Sequence, residues 1–396
     1  MKLKVAVVGI SLILLFLAAG LALQEETIKI GFFAPLTGFA AADGMSALRG
    51  AQIAVDFINE AGGINGKKIE LIYYDDACKA DEAAAIARKL IERDKVVIGI
   101  SGSYSTPTRA AAAIFQEAGV PMISAYAIHP SIILTGELIF RVGLGAPVEG
   151  IAGAVLAVEK LGAQRIAILT MDNDFGVALS EWFKRKIEEI NSKRVEAGMA
   201  AKQVEIVYEK RYPLGETEFR ELLTAIKAKE PELIWATAYF HEAANIVSQA
   251  RELGIEVPII GQEGYDSPKF IELGGPATEG TIIVTDLNRD SDREIVRRFL
   301  EEYEKRTGIP ADMVGASAFD AVQVAAYAIK VGGTEAEAIA EAINGIKDFE
   351  EAVTGPFYYF KDREAVRPVE IQIVKGGEFH YFMTFTDPEV ITPPAL

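Results

Sequence analysis

The stretch Val96–Pro107, which reads VVIGISGSYSTP, contains the unit that decides the fold. Its apolar part, Val96–Ile100, predicts a short buried strand. Thr106 followed by Pro107 predicts the start of a helix, with Thr106 as the N-cap and Pro107 in the first helical position. A strand that leads through a short loop into a helix is the repeating unit of parallel sheets covered by helices.

The same alternation extends along the chain in both directions from this stretch. The first series of strands is predicted at Ile28–Phe33, Lys68–Tyr74, Val96–Ile100 and Val120–Ser124. A second series is predicted at Arg165–Thr170, Gln203–Glu209, Leu233–Ala236 and Val257–Ile260. Helical segments separate the strands in both series. Because two such series exceed what one sheet holds, the sequence predicts an α/β fold with two doubly wound parallel-sheet lobes.

The tail from Thr281 departs from this alternation, with one strand, three helices and then three β segments that the two lobes must share. We expect the chain to cross between the lobes three times, near residues 142–146, 285–288 and 354–357. These crossings assign residues 27–144 and 287–354 to lobe 1. Residues 145–286 and 355–390 are assigned to lobe 2.

Residues 1–24 have the pattern of a targeting segment. Lys2 and Lys4 precede an uncharged run, residues 5–23, and small residues near its end, such as Ala18 and Gly20, fit a cleavage site. The pattern predicts a secretory signal peptide, although a run of this length could also remain as an N-terminal membrane anchor. Both alternatives place the rest of the chain outside the cytoplasm, in the periplasm or at the cell surface.

The composition excludes several classes of site. The 396 residues carry a formal net charge of −17, with one Cys and three His. A single cysteine excludes a disulfide framework and a multi-cysteine zinc site, and the histidines lack the spacing of a metal site, so we expect no metal and no cofactor. The strong negative charge repels phosphate backbones, which argues against a nucleic-acid partner.

The enzyme motifs in the chain are incomplete. Residues 99–103, Gly-Ile-Ser-Gly-Ser, fall short of the G-x-S-x-G nucleophile elbow because Ser103 stands where the final glycine belongs. Residues 141–148 contain only a fragment of the dinucleotide-binding G-x-G-x-x-G, with Val148 in place of the third glycine. The sequence also lacks a Walker loop, and we therefore predict a protein that is not an enzyme.

Ligands of open parallel sheets bind beyond the carboxyl ends of the strands, so the residues after the predicted strands are the candidates for a binding site. In the first series, the strand Val96–Ile100 is followed by a hydroxyl-rich loop at a helix N-terminus, which favours a carboxylate or another anion. Ordinary capping by Thr106 would account for only one of these hydroxyls. The candidates in this series are Ser103, Tyr104, Ser105, Thr106, Tyr126, Ala127 and Ile128.

The candidates in the second series are aromatic or acidic. They are Phe175, Tyr239 and Glu263, each placed after a predicted strand. Glu263 lies between Gly261 and Gly264 at a strand end and is well placed to meet a cation. A first lobe that accepts an anion and a second lobe that is aromatic and acidic together suit a zwitterion with an apolar side chain.

Residues 61–78, AGGINGKKIELIYYDDAC, together with residues 97–106 and the segment Gly261–Gly264, carry a family resemblance. The chain resembles the Leu/Ile/Val-binding protein family, the type I periplasmic binding proteins of ABC importers, over essentially its whole mature length. The resemblance implies two lobes joined by three hinge strands. Such a protein closes on a small, branched-chain-like amino acid and delivers it to a membrane permease.

The resemblance also implies a role for individual residues. The Ser103 hydroxyl and the backbone around Tyr126 would hold the α-carboxylate of the ligand. Glu263 would hold the α-ammonium group. Tyr239 would line the cleft, and Phe175 would form an aromatic wall.

Three positions depart from the family pattern. Ile128 replaces a threonine that helps to bind the carboxylate, Tyr126 replaces a small residue, and Asp43 falls near the place of a tyrosine. A related amino acid, an aromatic acid, a short amide or urea therefore stay open as ligands, as does a sensory ligand-binding role. The family disulfide would pair Cys78 with the position of Gly102, so we expect Cys78 to be a buried free thiol.

Overall fold

The computed structural model of the protein describes residues 27–395. The expected signal peptide or anchor, residues 1–24, lies outside the described residues. Between residues 27 and 395, no helix is long and apolar enough to cross a bilayer. The strands of this part of the chain form two sheets, which define the two lobes. The predicted α/β fold with two doubly wound, mainly parallel sheets is confirmed.

Lobe 1 is built on a sheet of eight described strands. They are β1 (Ile28–Ala34), β2 (Ile69–Asp75), β3 (Ile98–Ser101), β4 (Met122–Ser124), β5 (Ile139–Arg141), β11 (Lys347–Phe349), β12 (Phe357–Lys361) and β13 (Glu364–Val366). Their spatial order is β11-β12-β13-β5-β4-β3-β1-β2. The pairs from β13 to β2 are parallel, whereas β11, β12 and β13 pair antiparallel at one edge.

Lobe 2 is built on a sheet of seven described strands. They are β6 (Arg165–Met171), β7 (Glu205–Tyr212), β8 (Leu233–Ala236), β9 (Ile259–Gly261), β10 (Ile282–Thr285), β14 (Val369–Lys375) and β15 (Glu378–Phe385). Their spatial order is β15-β14-β10-β9-β8-β6-β7. The central strands are parallel and fully buried, which explains their continuous apolar runs, and β14 and β15 add an antiparallel edge.

Helices cover the faces of both sheets. Those of lobe 1 are α1 (Ala41–Glu60), α2 (Ala80–Arg88), α3 (Ser105–Glu117), α9 (Glu294–Thr307), α10 (Met313–Gly332) and α11 (Ala336–Asn344). Those of lobe 2 are α4 (Ala146–Val155), α5 (Asp174–Glu196), α6 (Arg220–Lys227), α7 (Phe240–Glu252), α8 (Pro268–Gly274) and α12 (Pro388–Ile391). Helices α1 and α10 are in close contact at Gly50 and Gly315. A Cβ atom at Gly50 would overlap the carbonyl of Gly315, so this packing requires glycine.

The third crossing between the lobes differs from the expected one. The sequence analysis assigned residues 355–366 to lobe 2, but β12 and β13 belong to the lobe 1 sheet, so the chain crosses at residues 366–369. The two strands form a hairpin whose turn residues, Asp362 and Arg363, adopt positive φ. On β13, Glu364 pairs with Arg141 of β5 at 2.9 Å in a buried ion pair. This long-range partner of Glu364 is not visible in the local sequence pattern.

Arg367 lies on the third crossing and is fully buried. Its guanidinium donates hydrogen bonds to the backbone carbonyls of Val142 (3.2 Å), Asp286 (3.0 Å) and Thr354 (2.6 Å). Val142 and Asp286 belong to the first and second crossings. One side chain therefore connects all three crossings.

Helix α4 was not among the predicted helices. All ten of its residues are buried, so its sequence lacks the amphipathic period by which a surface helix is recognised. Gly153 lies against the indole of Trp235, where a Cβ atom would overlap the ring. The helix carries Glu149 into the interior of lobe 2, and this placement matters for the binding cleft.

Candidate ligand-binding cleft

The cleft between the lobes contains a small cavity of about 20 Å³ at the carboxyl ends of the parallel strands. Its lobe 1 wall comes mainly from the segments after β1, β3 and β4 and from the start of α10. These residues are Asp43, Tyr104, Ser105, Tyr126, Ala127, Ile128, Met313 and Val314. The lobe 2 wall comes from the segments after β6, β8 and β9, and consists of Phe175, Tyr239, Glu263 and Gly264.

Four aromatic rings from both lobes form a continuous wall. The rings of Tyr104 and Tyr239 stack across the cleft, with centroids 4.3 Å apart and an angle of 12° between their planes. Phe175 extends the stack on the lobe 2 side, 4.8 Å from Tyr239. Tyr126 meets Tyr104 edge-on at 6.3 Å on the lobe 1 side. Such rings can cover an apolar side chain and can also face a cation.

Glu263 places a carboxyl group on the lobe 2 wall. Its side chain is only 7% exposed, and its Oε2 atom has no hydrogen-bond partner among residues 27–395. Burial raises the pKa of Glu263 well above its usual range, and the neighbouring carboxyl of Glu149 adds to the rise. Burial also raises the pKa of Glu149, with a further contribution from Asp286. This site is electrostatically suited to a positively charged group.

Asp43 places a second carboxyl group in the cavity, on the lobe 1 side. It lies in the first turn of α1 and is 6% exposed. Its Oδ2 atom accepts a hydrogen bond of 2.6 Å from the hydroxyl of Tyr104. Burial and the nearby Asp312 raise the pKa of Asp43 to about 7, although the bond from Tyr104 opposes the rise.

Hydrogen bonds hold the loop after β4 in place. The Tyr126 hydroxyl donates a 2.9 Å hydrogen bond to the carbonyl of Gly102, and the Ser105 hydroxyl accepts a 3.4 Å bond from the amide of His129. Arg141 donates bonds of 2.8 Å to the carbonyls of Ile128 and His129. These contacts hold the backbone of residues 126–129 in one position against the cavity.

Eight of the ten residues proposed from the sequence line the cavity, and Ser103 and Thr106 do not. Ser103 is fully buried beside Asp76. The Ser103 hydroxyl has no hydrogen-bond partner among the described residues, and burial raises the pKa of Asp76 to about 6. Thr106 is exposed, and its hydroxyl donates a 3.2 Å bond to Asp174 of lobe 2. Arg109 also pairs with Asp174, at 2.9 Å.

Two details of the sequence analysis are wrong. Helix α3 begins at Ser105, so Tyr104 rather than Thr106 is the N-cap residue, and it has no side-chain capping bond. The Thr106 hydroxyl does not cap the helix because it bonds across the cleft instead. Cys78 is a free cysteine, but it is half-buried rather than buried.

The sequence analysis did not propose several residues of the site. Asp43 was noted only as a departure from the family pattern, although its place in the first turn of a helix after β1 could have identified it. Glu149 lies in an apolar segment that gave no periodic pattern. Gly264 follows Glu263 in the segment after β9, and Met313 and Val314 reach the cavity through the packing of α10.

Comparisons with known proteins agree with the two-lobe architecture. Residues 27–378 match a family model described as periplasmic binding protein. The Leu-, Ile-, Val-, Thr- and Ala-binding protein of Pseudomonas aeruginosa is 29% identical, over 82% of this chain and 84% of that protein. The Leu/Ile/Val-binding protein of Escherichia coli K12 is 29% identical, over 69% of this chain and 71% of that protein.

Solved structures give the same result. The leucine-binding protein LivK of Thermotoga maritima superposes with a TM-score of 0.81 at 29% identity, over 92% of this chain and all of that chain. The substrate-binding protein LivJ of Streptococcus pneumoniae, solved with isoleucine, superposes with a TM-score of 0.80 at 28% identity, over 89% and 98% of the two chains. The resemblance drawn from the sequence is confirmed: the chain belongs to the periplasmic binding protein family.

Proposed function

We propose that this protein is the extracytoplasmic solute-binding component of an ABC importer. It captures a small amino acid or amino-acid derivative between its lobes and delivers it to a membrane permease. The relatives support this proposal, since they are named as amino-acid-binding proteins and one is described as the substrate binding protein of a branched-chain amino acid transporter. The observation that carries the proposal is the buried, unpaired carboxyl oxygen of Glu263 on the cavity wall.

Glu263 selects for an amine. A buried carboxyl group is costly to ionise without a partner, and a ligand ammonium group supplies both the opposite charge and hydrogen-bond donors. A simple carboxylic acid would place a second anion in the same enclosed space. Phe175 and Tyr239, which lie beside Glu263, would cover the apolar part of the ligand.

Closure of the lobes would couple binding to transport. A ligand that contacts both walls binds the closed form more tightly than the open form and so shifts the equilibrium between them. We propose that residues 27–142 and 287–366 move as lobe 1, and residues 143–286 and 369–391 as lobe 2. Arg367, which connects the three crossings, lies at the axis of this movement.

We also infer that the protein releases its ligand unchanged. The relatives are binding proteins, which supports a role in binding rather than in catalysis. The targeting pattern of residues 1–24 and the family support a location outside the cytoplasm. The membrane partner in this proposal is the permease of an ABC importer.

Native mass spectrometry of the protein, purified without denaturation, would identify a retained ligand, and calorimetry would measure its affinity. We expect Glu263→Gln to weaken the binding of an amine-bearing ligand by about a hundredfold, because the ammonium group loses its counter-charge. Glu272→Gln is the matched control, since Glu272 is an exposed carboxylate of the same lobe, paired with Lys269. Equal affinities in both variants and the wild type would contradict the proposal.

A further inference from the structure

The two walls of the cavity carry one carboxyl group each, Asp43 on lobe 1 and Glu263 on lobe 2. We infer that the lobe 1 end of the cleft selects a hydrogen-bond donor or a cation, so the ligand is an amine that bears an amide or a second amine where an amino acid bears its carboxylate. This inference rests on the proposed function and specifies the class of solute.

The first argument is the position of Asp43. Its carboxyl group is 6% exposed and lines the same cavity as Glu263, from the opposite lobe. The Oδ2 atom is already engaged by the Tyr104 hydroxyl at 2.6 Å, which directs that proton towards Asp43 and away from a ligand anion. A ligand carboxylate at this end would meet a buried carboxyl group of the same sign.

The second argument is that few side-chain donors on the lobe 1 wall can reach a carboxylate in the cavity. The Ser103 side chain lies outside the cavity beside Asp76, and Ile128 has no hydroxyl. The Tyr126 hydroxyl donates to the carbonyl of Gly102. Ser105 keeps a hydroxyl on this wall, but a single hydroxyl does not offset the charge of Asp43.

The third argument is the aromatic wall. The stacked rings of Tyr104 and Tyr239, with Phe175 beside them, line the same cavity as the two carboxyl groups. Aromatic faces attract ammonium groups and also stack on planar amides. An acidic group on each wall, together with aromatic side chains in the same cavity, therefore matches a ligand that carries a cation or a hydrogen-bond donor towards each wall.

The protonation of Asp43 defines the alternative that must be excluded. Burial and Asp312 raise its pKa to about 7, so near neutral pH a proton on Asp43 could be donated to a ligand carboxylate. The charged and titratable groups around Asp43 come from both lobes. On lobe 1 they are Tyr104 before α3, Cys78 after β2, Tyr126 after β4, Tyr303 of α9 and Asp312 before α10, and on lobe 2 they are Tyr239 and Asp266. A cationic or amide ligand binds better once Asp43 is ionised, whereas a carboxylate ligand binds better while Asp43 is protonated.

Matched ligand pairs test the inference. Leucine and leucinamide share a side chain and an ammonium group and differ only in carboxylate against carboxamide, and phenylalanine and phenylalaninamide form a second pair. By calorimetry at neutral pH, we expect the amide of at least one pair to bind at least about ten times more tightly than the acid. Acids that bind as tightly as their amides would overturn the inference and leave the proposed function standing. If neither acids nor amides bind, both fall.

The Asp43→Asn variant shows whether Asp43 causes the selectivity. Asparagine still accepts the Tyr104 hydrogen bond, and we expect it to reduce the amide-to-acid affinity ratio at least fivefold. Asp56→Asn is the control, because Asp56 lies on the same helix outside the cavity and pairs with Arg306 at 2.6 Å. An unchanged ratio in Asp43→Asn would overturn the assignment.

A measurement on the wild-type protein does not depend on the folding of any variant. Between about pH 5.5 and pH 7 the amine of both ligands stays largely protonated, so the titration of Glu263 affects both alike and cancels in the ratio. We expect the amide-to-acid affinity ratio to rise with pH over this range as Asp43 ionises. A ratio that falls or stays constant would contradict the inference.

Discussion

The phenol ring of Tyr104 lies face to face with that of Tyr239, 4.3 Å away, and the two residues belong to opposite lobes. Tyr104 is the N-cap residue of α3, and Tyr239 is the N-cap residue of α7. The N-cap tyrosines of two helices, one from each lobe, are therefore in direct contact. This contact makes the relative position of the lobes sensitive to single substitutions.

Removal of one ring of this pair should favour the open form. We expect Tyr239→Leu to shift the open–closed equilibrium of the ligand-free protein by about 1 kcal/mol, the typical value of an aromatic pair. Single-molecule energy transfer between dyes on the two lobes would measure the shift. Tyr239→Phe keeps the ring and should leave the equilibrium unchanged, so an equal shift in both variants would show that stacking is not the cause.

The ion pair between Arg109 of lobe 1 and Asp174 of lobe 2 should make a smaller contribution to closure. The pair is 2.9 Å long, with side chains 43% and 31% exposed, and the Thr106 hydroxyl bonds to the same carboxylate. Because exposed pairs are screened, Asp174→Asn should weaken ligand binding by less than about 1 kcal/mol, and high salt should abolish the difference from wild type. Calorimetry at two salt concentrations would measure it. A large, salt-independent loss would indicate direct contact with the ligand.

Asp43 should make the protein less stable as pH rises. Its pKa in the folded protein is about 7, against an ordinary value of 3.8, so its contribution to stability is fully present below about pH 4 and is lost as pH rises through 7. As pH rises from about 4 to 7, the unfolding free energy of Asp43→Asn should therefore increase relative to that of the wild type, by about 2 to 4 kcal/mol. Urea unfolding at several pH values would measure the difference.

Asp75 provides a control of opposite sign. Burial tends to raise its pKa, but hydrogen bonds from Thr37 and from the amides of Ala77 and Leu36 outweigh this effect and lower it. Its contribution to stability is therefore present at neutral pH and is lost as pH falls through its folded-state value. Asp75→Asn should be less stable than wild type at neutral pH, and the deficit should shrink in acid. The same trend in both variants would contradict the assignment of Asp43.

Arg367 should be essential for stability. Its replacement by Met would remove the donors to three buried carbonyl groups and the nearby counter-charge of Asp286, at 3.4 Å. We expect Arg367→Met to lower the unfolding free energy by about 3 to 5 kcal/mol. Arg165→Met removes an arginine whose side chain is 41% exposed. This loss should lower the unfolding free energy by less than about 1 kcal/mol. Similar urea midpoints for the two variants would refute this role of Arg367.

The sequence predicts the fold and much of the cleft because both depend on local patterns. Buried parallel strands appear as continuous apolar runs, and the residues after them, such as Tyr104, Tyr239 and Glu263, lie at the cavity because strand ends form the cleft in open sheets. Asp43 and Glu149 could not be identified in this way. Both lie within helices and reach the cleft through packing, in the case of Glu149 from a helix with no polar face.

The third crossing could not be located because its determinants are distant in sequence. The sequence analysis placed this crossing near residues 354–357, just before the first of the three β segments of the tail. The structure continues the lobe 1 sheet beyond these residues, since Glu364 finds its buried partner, Arg141, 223 residues earlier in the chain. Only tertiary structure shows that a charged residue on a short strand belongs to the interior of that lobe.

The position of that crossing has a consequence for the order in which the protein can fold during synthesis. The lobe 1 sheet needs β13 to pair with β5, and the lobe 2 sheet needs β14 to pair with β10. The strands β13 and β14, residues 364–366 and 369–375, thus leave the ribosome only after all the other strands of lobe 1 and all the parallel strands of lobe 2. Lobe 1 cannot complete its sheet before residue 366 has been made, and lobe 2 cannot do so before residue 385, so the first strand of each lobe waits for a partner region far along the chain.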